Sequence, residues 1–498
     1  MNKILFVEPN NPGDVLMATV AVRSLKKALP DTELHFLVDK ECSNLLENNQ
    51  NISKLHIFPR AGLKELFLSA EKGWNLGIKL LDEFLEELKR ENFDWIINYF
   101  QNPIGPILVN LINPKKAAGP LLNTCGSMII NDKWTRYLFA VPFARQYCAL
   151  HVSDIFCRIA GVKGDGNGPD LYLSRKELEN AENFFKTEDL KPPVVAIQAG
   201  SAYSSKRWLP QYFTKLAKML IKKGYKLLFL GAPQELEFIN AIVKDMPEKP
   251  AFGVGKTTLR QSGALIKMSN YLISGDTAAV HMASAFNTKT ISIYGPTSPC
   301  ETGPYGNGHH VLSGHCNCFG RYTEDCINQK CMQEVTPEAV LGCLLNKCIN
   351  SASSLRHSLS AWDKVNKRMV YPGWEPEEIE DTALALLRIW EGALKSVKFA
   401  SEKQPLLKLK EHCKKGLEIQ TKMIRVFQEK CDNKALARKY DIFEKGLDKI
   451  SGCVPFLAAD YRIKNNSLEI KDALALCAGI KRNLEELAEK AHLLLGED

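Results

Sequence analysis

Between Tyr271 and Pro296 the chain alternates in a way that few folds allow. An apolar run, Tyr271-Leu272-Ile273, meets a small polar turn, Ser274-Gly275-Asp276-Thr277. A helix-like stretch to Phe286 follows, and then a second apolar run, Thr290 to Tyr294, stops at Gly295-Pro296. The same grammar recurs elsewhere. Ile4 to Val7, Leu34 to Val38, Leu55 to Phe58 and Trp95 to Asn98 read as strands, with a polar loop from Glu8 to Asp14 and a helix from Val15 to Leu29 after the first. Val194 to Ile197 and Lys226 to Leu230 are strands of a second set, with helices from Pro210 and from Leu259 to Met268. Strands alternating with helices imply an α/β chain whose parallel sheets are covered on both faces. Ligands of such sheets sit beyond the carboxyl ends of the strands.

Length decides how many such sheets to expect. At 498 residues the chain is too long for one ordinary core. The Gly- and Pro-rich stretch from Gly161 to Pro193 reads as a crossover between two halves. From about Asn350 the period changes: Ile379, Ala383, Leu386, Trp390 and Leu394 share one helical face, as do Leu476, Ile480, Leu484, Leu487, Ala491 and Leu494. The expected organisation is therefore 1–165, 166–349 and an all-helical extension over 350–498 that serves packing or oligomerisation.

The charge balance of +8 suits acidic ligands or an anionic membrane surface and is no nucleic-acid signature. No run of about 18 apolar residues is present. The N-terminus reads as a buried strand and not a secretory signal, so the expected location is cytoplasmic, with the 15 cysteines mostly reduced. Peripheral contact with an inner membrane and homo-oligomerisation stay open.

Three loops at successive strand ends carry ligand-type residues. The Ser274–Thr277 turn hands a strand to a helix. Asp276 or Thr277 can cap that helix, Gly275 allows close approach, and the first-turn amides form an anion site. His281 lies one turn further on. Ordinary capping and packing would account for each residue taken singly. The loop Gly200-Ser201-Ala202-Tyr203-Ser204-Ser205-Lys206-Arg207 adds hydroxyls and two cations, either of which could neutralise a diphosphate. Gly231-Ala232-Pro233-Gln234-Glu235 follows the next strand, where Glu235 could accept from ribose hydroxyls. Together they point to a nucleotide-diphosphate site. A dinucleotide oxidoreductase is disfavoured, because no G-x-G-x-x-G follows the first strand.

PGDVLMAT near the N-terminus, GSAYSSKRW, LGAPQE and SGDTAAVHMASAFNTKTISIYGPTSP together resemble the heptosyltransferases of lipopolysaccharide synthesis over roughly the first 345 residues. The resemblance implies a GT-B fold of two Rossmann-like domains, the first binding the acceptor and the second an ADP-sugar, with inverting transfer and no cofactor required for catalysis. It implies that Asp14 is the general base and that Lys206 holds the departing diphosphate. It places Ser201 on phosphate, Glu235 on the nucleoside, and Gly275, Asp276, Thr277, Ala278 and His281 in the donor-binding turn. Ala278 stands where family members often carry Gly, and Ser201-Ala202 where they often carry Thr-Thr. Partners implied are a nucleotide-sugar donor and a glycolipid acceptor. Two other readings are a heptosyltransferase that glycosylates protein and a catalytically silent nucleotide-binding scaffold.

Within a Cys-rich loop, 315–331, Cys316, Cys318, Cys326 and Cys331 make C-x-C-x7-C-x4-C. Four thiols this dense suggest a structural Zn or Fe site, with His315 as a substitute ligand, against free cysteines or adventitious disulfides.

Overall fold

The computed structural model describes residues 3–8, 11–68, 71–123, 126, 128–141, 148, 150–314, 326, 329–347, 355–364 and 368–372. Residues 1–132 and 150–374 belong to one compact unit, to which the two large sheets belong. The helix Lys133–Ala140 falls in a second unit. The amphipathic segments expected from Ile379 onward lie outside the described residues.

The first sheet holds β1 (Lys3–Val7), β2 (Glu33–Asp39), β3 (Lys54–Phe58), β4 (Trp95–Asn98) and β5 (Lys116–Ala118) in the order β3-β2-β1-β4-β5, all parallel. A two-stranded piece, β6 (Leu121–Leu122) with β7 (Met128–Ile129), follows. The second sheet holds β8 (Val194–Gln198), β9 (Lys226–Leu230), β10 (Ala251–Phe252), β11 (Tyr271–Gly275), β12 (Lys289–Tyr294), β13 (His310–Gly314) and β14 (Leu355–Leu359). Its order is β10-β9-β8-β11-β12-β13-β14, parallel except for the last pair. A hairpin of β15 (Ala361–Asp363) and β16 (Arg368–Val370) comes next.

Burial explains why the strands read as continuous apolar runs. Val195 and Ile197 of β8 pack into one apolar cluster with Trp208, Phe213 and Phe229, while Val194 and Ala196 pack into another with Leu228, Leu272 and Ala283. Alternate side chains point to opposite faces, and both faces are buried. Each such Val or Ile contributes roughly 1.5–3 kcal/mol when fully buried.

Two departures change the boundaries expected from the sequence. The first helix runs Pro12–Ala28, three residues earlier than expected. Proline is suited to the first helical position, where its missing amide is not needed, so Asp14 lies in the helix's first turn and not in a loop. The second sheet also runs past residue 349: β14 and the hairpin occupy a stretch expected to open the helical extension. Their short patterns, LRHSL and AWD, carry too little apolar alternation to be seen.

Each sheet has one switch point, where the strand order reverses: between β1 and β4 in the first, between β8 and β11 in the second. In such sheets the crevice outside the strand ends opens there. Asp14 follows β1 in the first turn of its helix, and the loops following β8 and β11 carry Lys206 and Asp276.

Among the described residues no helix is long and apolar enough to cross a membrane.

Candidate active site

Lys206 ends a short 3-10 turn, Ser204–Lys206, after β8. Its Nζ lies 2.9 Å from Asp276 Oδ2, and the two side chains are only 15% and 9% exposed, so the pair is shielded from solvent screening. The other carboxylate oxygen, Asp276 Oδ1, accepts from Thr302 Oγ1 at 2.9 Å. Both oxygens are thus committed, and neither caps the following helix. Asp276 steers Lys206.

Thr277 takes the N-cap position of the helix Ala278–Ala285, yet its side chain makes no capping bond. The hydroxyl instead lies 2.9 Å from Ser274 Oγ. Ser274 donates its one hydroxyl proton to the Gly275 carbonyl, so Thr277 is the donor to Ser274. The first-turn amides at Ala278 and beyond are left without a side-chain cap, which suits an anionic ligand. Gly275 permits a close approach by the protein itself: a Cβ there would stand 3.2 Å from the Lys206 carbonyl. Lys206 and the turn are therefore held together through both backbone and side chain.

His281 is buried, and burial pushes its imidazole down to about 4, so it is neutral at pH 7. Its Nδ1 has no hydrogen-bond partner. Gly13 in the first turn of the Pro12–Ala28 helix packs on the same ring, 3.2 Å from where its Cβ would be. This contact brings the Asp14 turn to the Asp276 helix.

Asp14 is partly open to solvent but enclosed by protein. Burial pushes its carboxyl up to about 6; the Asn11 hydrogen bond at 3.0 Å opposes this, Asp276 adds to it and Lys206 opposes it. Asp14, Asp276 and Lys206 are therefore within electrostatic reach of one another. Glu8, at the end of β1, is buried. Burial holds it well above the usual carboxylate range, with the charges of Asp14 and Asp39 adding. Asp39, ending β2, is likewise raised by burial to about 6 against its partner Arg60.

The remaining expected residues divide. Glu235 Oε2 accepts from Ala232 N at 2.8 Å and Gln198 Nε2 at 3.0 Å, and its carboxylate fills the space over Gly200 and Gly231 at the ends of β8 and β9. Ser201 is buried, and its carbonyl accepts from Arg207 Nε at 2.8 Å. Arg207 stacks on Phe238, 5.3 Å from the ring centroid, and ties its own loop. Lys206 is thus the cation of that loop that meets the Asp276 turn. Cys331 is buried and Cys326 half-buried; Cys316 and Cys318 lie outside the described residues, as does His315. Gly295, where the β12 run stops, has Cys331 Sγ and Met332 against it, so a side chain there would collide with the core.

Two polar groups, Thr302 and Thr297, escaped the sequence reading, and Ser205 was read only as one of its loop's hydroxyls. Thr302 holds Asp276, and the hydroxyls of Ser205 and Thr297 are buried without a partner. Thr297 follows β12, the neighbour of β11. Its place in GPTSP at a strand end was the available signal.

Two doubly covered sheets, parallel but for the β13–β14 edge pair, each with one switch point, make the GT-B class of glycosyltransferase fold. The profile of glycosyltransferase family 9 (heptosyltransferase) matches residues 83–332, and the chain belongs to that family. It is a glycosyltransferase. Among its curated relatives, the lipopolysaccharide core heptosyltransferase OpsX of Haemophilus influenzae is 25% identical over 309 residues, 60% of this chain and 81% of OpsX. Lipopolysaccharide heptosyltransferase 2 of Salmonella typhimurium is 24% identical over 320 residues, 62% of this chain and 87% of the relative. In fold, a family 9 glycosyl transferase from Veillonella parvula superposes with TM-score 0.58 at 22% identity, covering 69% of this chain and 96% of that one. Escherichia coli ADP-heptose lps heptosyltransferase II gives 0.52 at 19%, covering 69% and 98%.

Proposed function

We propose that the chain is an inverting transferase that moves a heptose from an ADP-activated donor to a hydroxyl of a lipopolysaccharide-core acceptor. The donor is held at the second sheet, with its diphosphate between Lys206 and the uncapped first turn at Ala278. Ser201, Gly275, Thr277 and His281 line that site, and Glu235 stands toward the nucleoside. Asp14 accepts the acceptor hydroxyl's proton while that oxygen attacks the anomeric carbon. The bond from the anomeric carbon to the diphosphate oxygen breaks, and ADP leaves with the electron pair. The 1–165 half holds the acceptor and the 166–349 half the donor, in the cytoplasm and at the inner membrane face.

The observation that carries this reading is that Asp14, its carboxyl raised by burial, lies within electrostatic reach of the Lys206–Asp276 pair. A base needs a carboxylate that is ionised at pH 7 yet more basic than usual, and a carboxyl raised to about 6 meets both conditions. A diphosphate arriving at Lys206 adds negative charge near Asp14, which raises its basicity further in the ternary complex. On the opposite side, fixed amide and ammonium donors relieve the leaving charge without reorganising. The relatives named above, heptosyltransferases of lipopolysaccharide or its core, support the sugar and the acceptor class.

Calorimetric titration with ADP, GDP and UDP, paired with transfer assays from ADP-heptose to a heptose-deficient core glycolipid, tests it. ADP should bind tightest and product should form. Preference for GDP or UDP, or ADP-heptose turnover only onto polypeptide, would overturn the donor or the acceptor.

A further inference from the structure

At the far edge of the second sheet β13 and β14 run antiparallel with Leu312 opposite His357. Residues two apart on a strand share a face, so His310 and Leu312 lie together, and His357, opposite Leu312, joins them. The Pro337–Leu344 helix covers this face, and its Cys343 is buried in the same apolar cluster as Leu312. His310 Nδ1 stands 2.9 Å from His357 Nε2. With Cys343 Sγ, the ligand atoms all lie within 4.8 Å of one another. Asn346, in a left-handed conformation just past the helix, hydrogen-bonds the His310 ring through its side chain. An outer-shell carbonyl of that kind fixes the tautomer of a metal-binding imidazole.

We propose that His310, His357 and Cys343 form a zinc site that ties β13, β14 and the Pro337–Leu344 helix together. Two imidazoles and one thiolate make a borderline-soft set that suits Zn²⁺ and offers nothing to hard cations such as Mg²⁺ or Ca²⁺. A tetrahedral zinc with bonds near 2.1 Å to nitrogen separates two nitrogens by about 3.3 Å. The imidazole pair therefore opens by a few tenths of an ångström as the metal replaces its hydrogen bond. Binding releases the Cys343 thiol proton to solvent. His357 is exposed, so solvent reaches the trio and water completes the fourth position.

Two features place this site apart from the catalytic one. His310 begins β13, which runs parallel to β12, so it sits at the amino end of the strands, opposite the Asp276 turn. Its work is structural. A second trio, His35, His56 and Glu91, has similar spacing, but each Glu91 oxygen is already 2.6 Å from a lysine, Lys3 or Lys54, and two ammonium groups repel a cation. At the first trio the nearby cation is Lys289, whose Nζ donates to the Asn307 carbonyl.

The test uses the untagged full chain, stripped with a chelator and titrated with Zn²⁺ against a chromophoric competitor, beside His357→Ala and Cys343→Ala. Any metal taken by the cysteines of 316–331 counts equally in all three. Wild type should bind one more zinc than either variant, with affinity at that site weakened more than about 100-fold, beyond the loss an outer-shell partner causes. Co²⁺ should give thiolate charge-transfer and tetrahedral d–d bands in wild type that vanish in both variants. His357→Cys, which keeps a ligand, should restore them. His357 is exposed, so its replacement leaves the core intact and the comparison holds even if Cys343→Ala is unstable. Equal stoichiometry and affinity in wild type and His357→Ala would overturn the site and leave a hydrogen-bonded histidine pair.

Discussion

At the carboxyl end of the first sheet, β1 hands over to a helix whose first turn carries Asp14, and burial raises three carboxyls there: Glu8, Asp14 and Asp39. At the carboxyl end of the second, β11 hands over to a helix with bare first-turn amides, beside a lysine locked to Asp276. In the proposed reading the same strand-turn-helix unit serves as proton acceptor in one half and as anion holder in the other. The difference lies in what fills the turn. Burial without a full set of partners makes a carboxylate basic, whereas an ion pair plus a hydroxyl, as at Asp276, holds a cation in place for a third charge.

The sharpest break in this comparison is Asp14→Asn. It removes the base and leaves the donor half untouched, so turnover should fall about 10²–10⁴-fold while ADP affinity stays near wild type, checked by single-turnover transfer and calorimetry. A variant with normal turnover at saturating acceptor would end the assignment. Lys206→Ala should act on the other side, weakening ADP and slowing turnover by about 10²-fold, since a cation at a leaving diphosphate acts in ground and transition states. Unchanged ADP binding would reduce Lys206 to a structural partner of Asp276.

Smaller effects sharpen the coupling between the halves. Lys206 lowers the Asp14 pKa and Asp276 raises it. Lys206→Ala should therefore move the acid limb of kcat/KM to higher pH and Asp276→Asn to lower pH, each by about one unit. Shifts of the same sign would mean that the two charges do not reach Asp14. The least effect is expected at Glu8→Gln. Burial raises the Glu8 carboxyl well above its usual range, which favours its neutral form, and turnover should alter by less than about threefold. A large loss would move the base from Asp14 to Glu8.

Much of this was legible in the sequence. The runs at β1, β2, β8, β9, β11 and β12 are apolar, bounded by turns and buried, so pattern alone located them. Lys206 and Asp276 were legible as candidates because they follow strand ends, and Asp14 because the family resemblance implied it. β5, β10, β13 and β14 were not seen, since two- to five-residue pieces such as KAA, AF and HVLSG carry no periodicity. Pairings across loops also escaped. Asp276 was expected to cap the helix or to sit in the donor-binding turn, not to pair with Lys206, 70 residues away, or Thr302, 26 away. Only the β8–β11–β12 strand order brings their loops side by side. The same holds for Gly13 on His281, a contact set by the meeting of two helices.

The base assignment is tested most directly by the pH dependence of kcat/KM with an acceptor lacking phosphate monoesters, so that no substrate group titrates in the window. A folded-state pKa near 6 predicts a rate that is level above about pH 7 and falls tenfold per unit below about pH 6, as the Asp14 carboxylate takes up its proton. In Asp14→Asn the residual rate should show no such limb. A wild-type profile that stays flat to about pH 4.5, or a limb near 6 that persists in Asp14→Asn, would contradict it.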